Sequence, residues 1–573
     1  MDHERNDDSR HAARGPEAGP AEAPAHDRGG TTWTGCLRRS GTLIWMLVVG
    51  GSLAGMVVLW VQRGEVDYAT ANVLTMILAF VVVIALVARM SLRRGAHRVT
   101  RWLSIGGVLL AILAASTLRI DRVSGRLVPR LTWRWSVKPD QLLDSPVIDA
   151  REPVDMRTTT PGDFPQFLGP RRNLVVTGVA LARDWTTYRP RQLWRQPIGA
   201  GWSGFTAVNG FAVTMEQRGP EELVTCYEVT TGRLRWAHAW AARYETMSGG
   251  VGPRSTPTIA DGLVYALGAT GVLRCLDGAT GALVWSDDIL QRFDLTPEED
   301  LQAVTWGRSA SPLVVEDLVI VPHGGPRNGP WCSLCAYDKR TGAVRWTGGQ
   351  WQVSYASPSL ARLCGVLQVL SVNQAAVSGH RLEDGEVLWS YPWPGKSTAD
   401  ATVPQAVVVS DNRLLLSKGY GVRARLLELM LSAAGAWQVT EVWAKPVLKT
   451  KFTNVAIQDQ FAYALSDGIL ECVEVDTGRR RWRDRRGNYG PGQILLVGDV
   501  ILVQAESGEV VMVEANPDQL VELSRIPALT DQTWNNLCLY DHYLLVRNSV
   551  EAACYDLPLR TPPDAPEVPD AAR

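Results

Sequence analysis

The sequence predicts an all-β fold, an eight-bladed β-propeller of four-stranded antiparallel blades closed by both chain termini, preceded by three transmembrane helices. Three observations predict it. A pattern of Thr-Gly followed four residues later by Trp recurs along residues 163–557. Between its copies lie short runs of apolar/polar alternation broken by tight-turn residues, the mark of a strand meander. Ahead of it stand three uncharged apolar runs. Composition agrees: in 573 residues, Gly (52) and Pro (33) supply turns, and Trp (22) outnumbers Tyr (14) and Phe (8).

Residues 1–40 are polar and mixed in charge, with few large apolar side chains, and read as a disordered cytoplasmic tail. Residues 43–61, 71–88 and 102–118 carry no charge, and each is long enough to cross a hydrocarbon core of about 30 Å. The loop between the second and third runs holds Arg89, Arg93, Arg94, Arg98 and Arg101 without an acid, which puts it and the tail in the cytoplasm. Three crossings then place the remainder on the periplasmic side of an inner membrane. Arg119, Arg122, Arg126, Arg130 and Arg134 follow the third run against that rule; long translocated domains obey it weakly, and lipid headgroups next to Trp133 and Trp135 offer these cations a role. Gly51 and Gly55 form a GxxxG whose expected use is packing among the three helices, with a dimer seam as the alternative. Residues 119–162 read as a juxtamembrane linker and 558–573 as a disordered tail.

The repeat reads CYEVTTGRLRW (226–236), CLDGATGALVW (275–285), AYDKRTGAVRW (336–346), GHRLEDGEVLW (379–389) and CVEVDTGRRRW (472–482). Gly232, Gly281, Gly342, Gly385 and Gly478 fit the positive-φ position of a tight hairpin. The outer strands end at Trp194, Trp236, Trp285, Trp346, Trp389, Trp443 and Trp482, with an eighth equivalent near Leu523. An indole there can bury its ring against the next blade. QLWRQPI (192–198) is an outer strand without inner strands, and 537–557 has inner strands without an outer one. Seven local blades and an eighth shared by the two ends follow, a closure that removes fraying edges.

These Thr-Gly-x-x-x-Trp units resemble the tryptophan-docking motifs of the pyrroloquinoline-quinone (PQQ) repeat propellers, a superfamily that includes quinoprotein alcohol dehydrogenases and BamB-like proteins. DFPQFLGPRRN (163–173) is similar to the W-P-x-F-R-G-P opening of BamB-like propellers found widely in planctomycete-type bacteria, with Phe164 in place of Trp and Leu168 in place of Arg. The resemblance implies a propeller over residues 163–557 and, as its enzymatic branch, a PQQ and calcium site with a vicinal disulfide, carboxylate ligands and an aspartate base.

The residues themselves do not assemble that chemistry. Nine cysteines include no adjacent pair. Cys226, Cys275, Cys472, Cys554 and, one place off, Cys335 fall at the repeat's small buried position and read as packing residues. Cys332-Ser-Leu-Cys335 lacks the following His of a haem site and the second CxxC of a zinc site. The eight histidines show no ligand spacing, and there is neither a Walker A loop nor a GxSxG motif. A net charge of −1 argues against nucleic acid held by bulk charge. No catalytic, cofactor or metal residue is assigned. The polar and aromatic segments that lead into each blade should ring one channel mouth, bringing together Trp202, Arg254, Arg308, Tyr355, Lys451, Tyr489, Trp534 and Asn535. The expected function is a membrane-anchored, non-catalytic binding or scaffolding module for envelope proteins or extended peptides; the alternatives are a divergent quinoprotein oxidoreductase and a ligand sensor.

Overall fold

The structure, a computed structural model, describes residues 33–62, 68–92, 97–144, 146, 152–395, 397, 400–484, 487 and 489–560. The tail over 1–40 therefore lies almost wholly outside the described residues, as does most of 558–573. Three helices come first: α1 (Trp33–Val61), α2 (Tyr68–Leu92) and α3 (Arg98–Ser116). Each is long and apolar enough to cross a membrane, with mean hydropathies of 2.2, 2.7 and 1.6. Gly55 faces α2, where an added Cβ would lie 3.1 Å from Leu78, whereas Gly51 has open space. The Trp45 indole donates to the Ala85 carbonyl (3.0 Å), fastening α1 to α2.

Residues 119–162 do more than link. β1 (Leu118–Val123) and β2 (Pro129–Trp133) form a hairpin directly after α3. The chain then runs over the rim of the first blade, where buried Asp140 takes a 2.7 Å hydrogen bond from Arg243. It reaches the opposite face, where Val154 donates to the Ala279 carbonyl (3.1 Å). Composition hid this because the anchoring groups are scattered single residues.

Eight blades follow. Seven are consecutive four-strand meanders over residues 206–241, 258–288, 313–348, 359–392, 407–445, 456–483 and 493–526, numbered blades 1 to 7 here. Blade 8 takes three strands from residues 538–556 and its outer strand from β4 (Arg191–Pro197), with Cys554 opposite Trp194. β3 (Val175–Val176) adds a short parallel strand to blade 7.

One register recurs. The small residue of the third strand pairs with the indole-bearing residue of the fourth: Cys226 with Trp236, Cys275 with Trp285, Ala336 with Trp346, Gly379 with Trp389 and Cys472 with Trp482. A β-bulge follows at once in each, and again after Leu426, Met512 and Cys554. The extra residue bends and twists the outer strand, the same re-aiming in every blade. Cys335 lies one place from that position and is fully buried, while Cys332 is half-buried; both are free.

The indoles bridge neighbouring blades. The N–H groups of Trp194, Trp236, Trp285, Trp346, Trp443 and Trp482 donate to Val229, Gly278, Lys339, Leu382, Val475 and Asn516 carbonyls of the next blade at 2.7–3.0 Å. The rings cover the turn glycines. A Cβ on Gly232, Gly281, Gly342, Gly385 or Gly478 would meet Trp194, Trp236, Trp285, Trp346 or Trp443 at 2.4–2.9 Å, and all five have φ between +63° and +76°. The turn acids hold the same hairpins: Asp338 accepts from the Thr341 backbone and hydroxyl at 2.9 and 3.0 Å.

Two positions depart from the pattern. Trp389 keeps its N–H within its own blade, on Gln368 (2.6 Å). In blade 7 the register position is Ser524 rather than an indole. Trp185, 3% exposed, is buried there instead; its backbone N–H donates to the Ser524 hydroxyl (2.9 Å), while its indole N–H has no hydrogen-bond partner.

Candidate functional site

The lead-in loops and the turns between second and third strands share one face of the wheel, because strand direction alternates within each blade. Side chains on this face form a closed belt of contacts. Trp534, leading into blade 8, lies 4.9 Å from Phe452 of blade 6 and 4.6 Å from Trp202 of blade 1, ring centre to ring centre. The Trp202 N–H donates to the Gly249 carbonyl (2.8 Å). Arg254 donates to the same carbonyl and to Gly252 O (2.5 Å), with its guanidinium 4.0 Å above Tyr244. The Tyr244 hydroxyl reaches Thr305 O (3.0 Å), and neighbouring Trp306 packs on Tyr355 at 5.4 Å. Tyr355 clusters with Tyr420, above which the Lys451 ammonium sits at 5.8 Å. Phe452 follows Lys451 in the chain, and the belt is complete.

Of the eight residues singled out in sequence, Trp202, Arg254, Tyr355, Lys451 and Trp534 enter this belt. Asn535 lies beneath it, 1% exposed, tying blade 8 to blade 1 through the Gly201 and Ser203 carbonyls (3.1 and 2.8 Å). Arg308 and Tyr489 are not brought into it. Arg308 is 3% exposed and makes a two-pronged ion pair with Asp300 (3.1 and 2.8 Å), which the helix Pro297–Ala303 presents, plus a bond to His323 O (2.7 Å). Tyr489 sits in the main core, its hydroxyl on Asp484 (3.1 Å); burial above all, with that carboxylate, pushes its pKa up and makes it a weaker acid. Tyr244, Trp306, Tyr420 and Phe452 escaped sequence reading. Trp306 and Phe452 stand inside the lead-in segments, and the aromatic density of those segments was the available signal.

The opening segment lies across the other end of the channel. Phe164 bridges to Ala207 of blade 1, and Pro165 O accepts from Ile259 of blade 2 (2.8 Å). Arg172 donates to Ser311 and Pro312 carbonyls of blade 3 (3.1 and 3.0 Å), and Leu174 O accepts from Leu496 of blade 7 (2.9 Å). The opening segment DFPQFLGPRRN is thus a plug that spans the inner strands. Burial lowers the Arg172 guanidinium to about 9. No carboxylate is among its hydrogen-bond partners; its bonds are to the two carbonyls and, at 3.4 Å, to Gln166.

One buried acid beside the belt remains half-satisfied. Glu222 is 1% exposed; one oxygen accepts from Ala269 N (3.0 Å) and the other has no hydrogen-bond partner. Burial pushes its carboxyl up to about 7, against partial relief from Ala269, Arg254 and Arg274. The unfolded chain loses this proton near the ordinary value, so folding is progressively disfavoured from about pH 4.5 to 7 and the loss is complete above 7. Glu222→Gln is therefore expected to stabilise the protein at pH 8, by about 3 kcal/mol at most, and to leave stability unchanged at pH 4. Thermal unfolding of both proteins at the two pH values checks it.

These elements make a closed eight-bladed propeller preceded by three helices long and apolar enough to anchor it in a membrane. The chain belongs to the family described as outer membrane protein assembly factor BamB, which matches residues 179–325 and 220–484. BamB from Moraxella catarrhalis is 18% identical over 64% of this chain and 100% of its own, with a TM-score of 0.45. A europium-containing methanol dehydrogenase is 12% identical over 69% and 91%, with a TM-score of 0.50. The quinohemoprotein alcohol dehydrogenase of Comamonas testosteroni is 12% identical over 71% and 83%, at 0.47. At these identities the likeness concerns the fold alone. No curated protein matches the chain.

Proposed function

We propose that the protein is a non-catalytic binding platform of the cell envelope, anchored in the inner membrane with its propeller on the periplasmic side, where it engages envelope proteins or extended peptides. The observation that carries this reading is that lead-in side chains contact one another around the mouth while the opening segment lies across the other end. The basic groups near the mouth are committed internally: Arg308 to Asp300, Lys451 to Asp467 at 3.7 Å, and Arg254 to two carbonyls.

The donor set speaks against PQQ with calcium. A hard divalent cation needs several convergent oxygen ligands, and among the described residues no group of three or more His, Cys, Asp or Glu is arranged to hold a metal ion. The buried mouth carboxylate of Asp300 already faces a guanidinium. What remains for a partner is the rim and the outer strand edges. The outermost strand of blade 5, Trp437–Lys445, runs nine residues and carries exposed Val442; Met430 of the neighbouring strand, opposite Gln438, is exposed as well. Such an edge offers backbone pairing to an extended segment. The side of the membrane follows from the arginine-rich loop between α2 and α3.

Titrating the full-length protein in detergent with PQQ and calcium, by calorimetry and by alcohol or sugar oxidation, tests the reading. Neither saturable heat nor turnover is expected. Stoichiometric quinone binding with turnover would overturn it in favour of an oxidoreductase.

A further inference from the structure

The hairpin after α3 has two unlike faces, and only one of them touches protein. Its register pairs Leu118 with Trp133 and Ile120 with Leu131, setting four apolar side chains on one side. Trp135 extends this side, stacked on Trp133 at 5.4 Å. Ile120, Leu131, Trp133 and Trp135 are 42, 56, 52 and 68% exposed. A bulge after Ile120 turns Arg122 to the other side, next to Arg130, and both donate to Asp531 (2.6 and 2.7 Å) in the lead-in to blade 8. At the tip, Gly125 N donates to Glu506 (2.7 Å) and Val123 O accepts from Gln532 (3.1 Å). Glu506 also accepts from the belt residue Trp534 (2.9 Å). The tip further touches α2, where Asn72 donates to Arg126 O (3.1 Å).

We propose that this hairpin lies in the interfacial layer of the bilayer, with its apolar side among phospholipid headgroups and upper acyl chains, and that its polar side holds the mouth of the propeller toward the membrane. Continuity names the occupant. A single residue, Thr117, separates the end of α3 from β1, so the apolar side begins where the last span leaves the hydrocarbon. The headgroup layer is about 5–7 Å deep on each side, within the reach of a six-residue strand. Paired indoles favour that layer, where ring and N–H find apolar and polar surroundings together. Exposed Arg134 stands between them in the chain, a cation for the phosphate layer. An apolar patch of this kind facing water would be costly. The inference rests on anchoring by α1–α3 and holds whichever compartment the propeller occupies.

Full-length protein in phosphatidylethanolamine/phosphatidylglycerol vesicles tests it. Cys36, Cys332 and Cys364 are replaced by Ser, and an environment-sensitive fluorophore is attached through Leu131→Cys, Trp133→Cys or, on the far face of blade 1, Thr230→Cys. At 131 and 133, emission should shift to the blue, a lipid spin-labelled high on its acyl chain should quench at least about twofold, and iodide should quench several-fold less than at 230. Labels at 131 and 133 that behave like the label at 230 overturn the proposal. So does protection from iodide without lipid quenching, which would mean that a second copy or another protein covers this side. Energy transfer to a headgroup dye should be stronger from a label at Met247→Cys, on the mouth rim, than from 230; equal or reversed transfer overturns the proposed posture. Co-flotation with vesicles is scored separately, so that loss of helical anchoring is told apart from failure of the hairpin to enter lipid.

Discussion

Gly342→Val is expected to lower stability by about 2–5 kcal/mol and to lower the melting midpoint accordingly. Gly342 has φ +73°, and an added Cβ would lie 2.7 Å from the Trp285 ring. The left-handed backbone alone costs a side-chain-bearing residue about 1–2 kcal/mol, and forcing carbon into a packed wall adds about 1–3. The second cost is the one that reports docking between blades, and Gly435 isolates it. That glycine has φ +81° in the outer hairpin of blade 5, with nothing within 4 Å of an added Cβ. Gly435→Val should therefore show the backbone cost only. Equal losses for the two variants in thermal unfolding would mean that the indole on Gly342 does not hold blade 2 to blade 3.

Asp300→Ala should be comparably severe, at about 3–5 kcal/mol, because it leaves the Arg308 guanidinium buried without its counter-charge. Both side chains are 3% exposed and the pair is two-pronged. Replacing both partners, as Asp300→Leu with Arg308→Met, should return stability to within about 1–2 kcal/mol of the parent, since the desolvation of two charges disappears with their attraction. A double variant as damaged as the single one would show that the Arg308 bond to His323 O, rather than the ion pair, secures this corner.

The fold was legible because its contacts demand particular residue types at fixed spacing. Only glycine tolerates both the positive φ and the indole lying on it, and an indole alone supplies a large ring with an N–H for the neighbouring carbonyl, so the pair survives as letters in the sequence. The shared blade was legible for a similar reason: Trp194 arrives without inner strands and 537–557 without an outer one. The bulge after each small residue was not, since the extra outer-strand residue is Arg235, Val284, Leu388 or Arg481 alike. Nor was Trp185, which serves blade 7 from more than three hundred residues away. At the mouth, sequence located the lead-in loops, but partner choice was set by side-chain reach. Arg308 and Arg254 look equivalent in sequence, yet a carboxylate on a short helix takes the first while a tyrosine ring and two carbonyls take the second. The hairpin's alternation of Leu118 and Ile120 with Leu131 and Trp133 was present in the letters, and the arginines between them masked it.

Hydrogen–deuterium exchange on the full-length protein in detergent, with and without PQQ and calcium, tests most directly whether the mouth is closed by its own side chains. Backbone amides in residues 199–205, 249–256, 305–311 and 353–358 should be protected without any addition and unchanged by it. Rapid exchange in these segments that slows when quinone and metal are added would contradict a self-filled mouth.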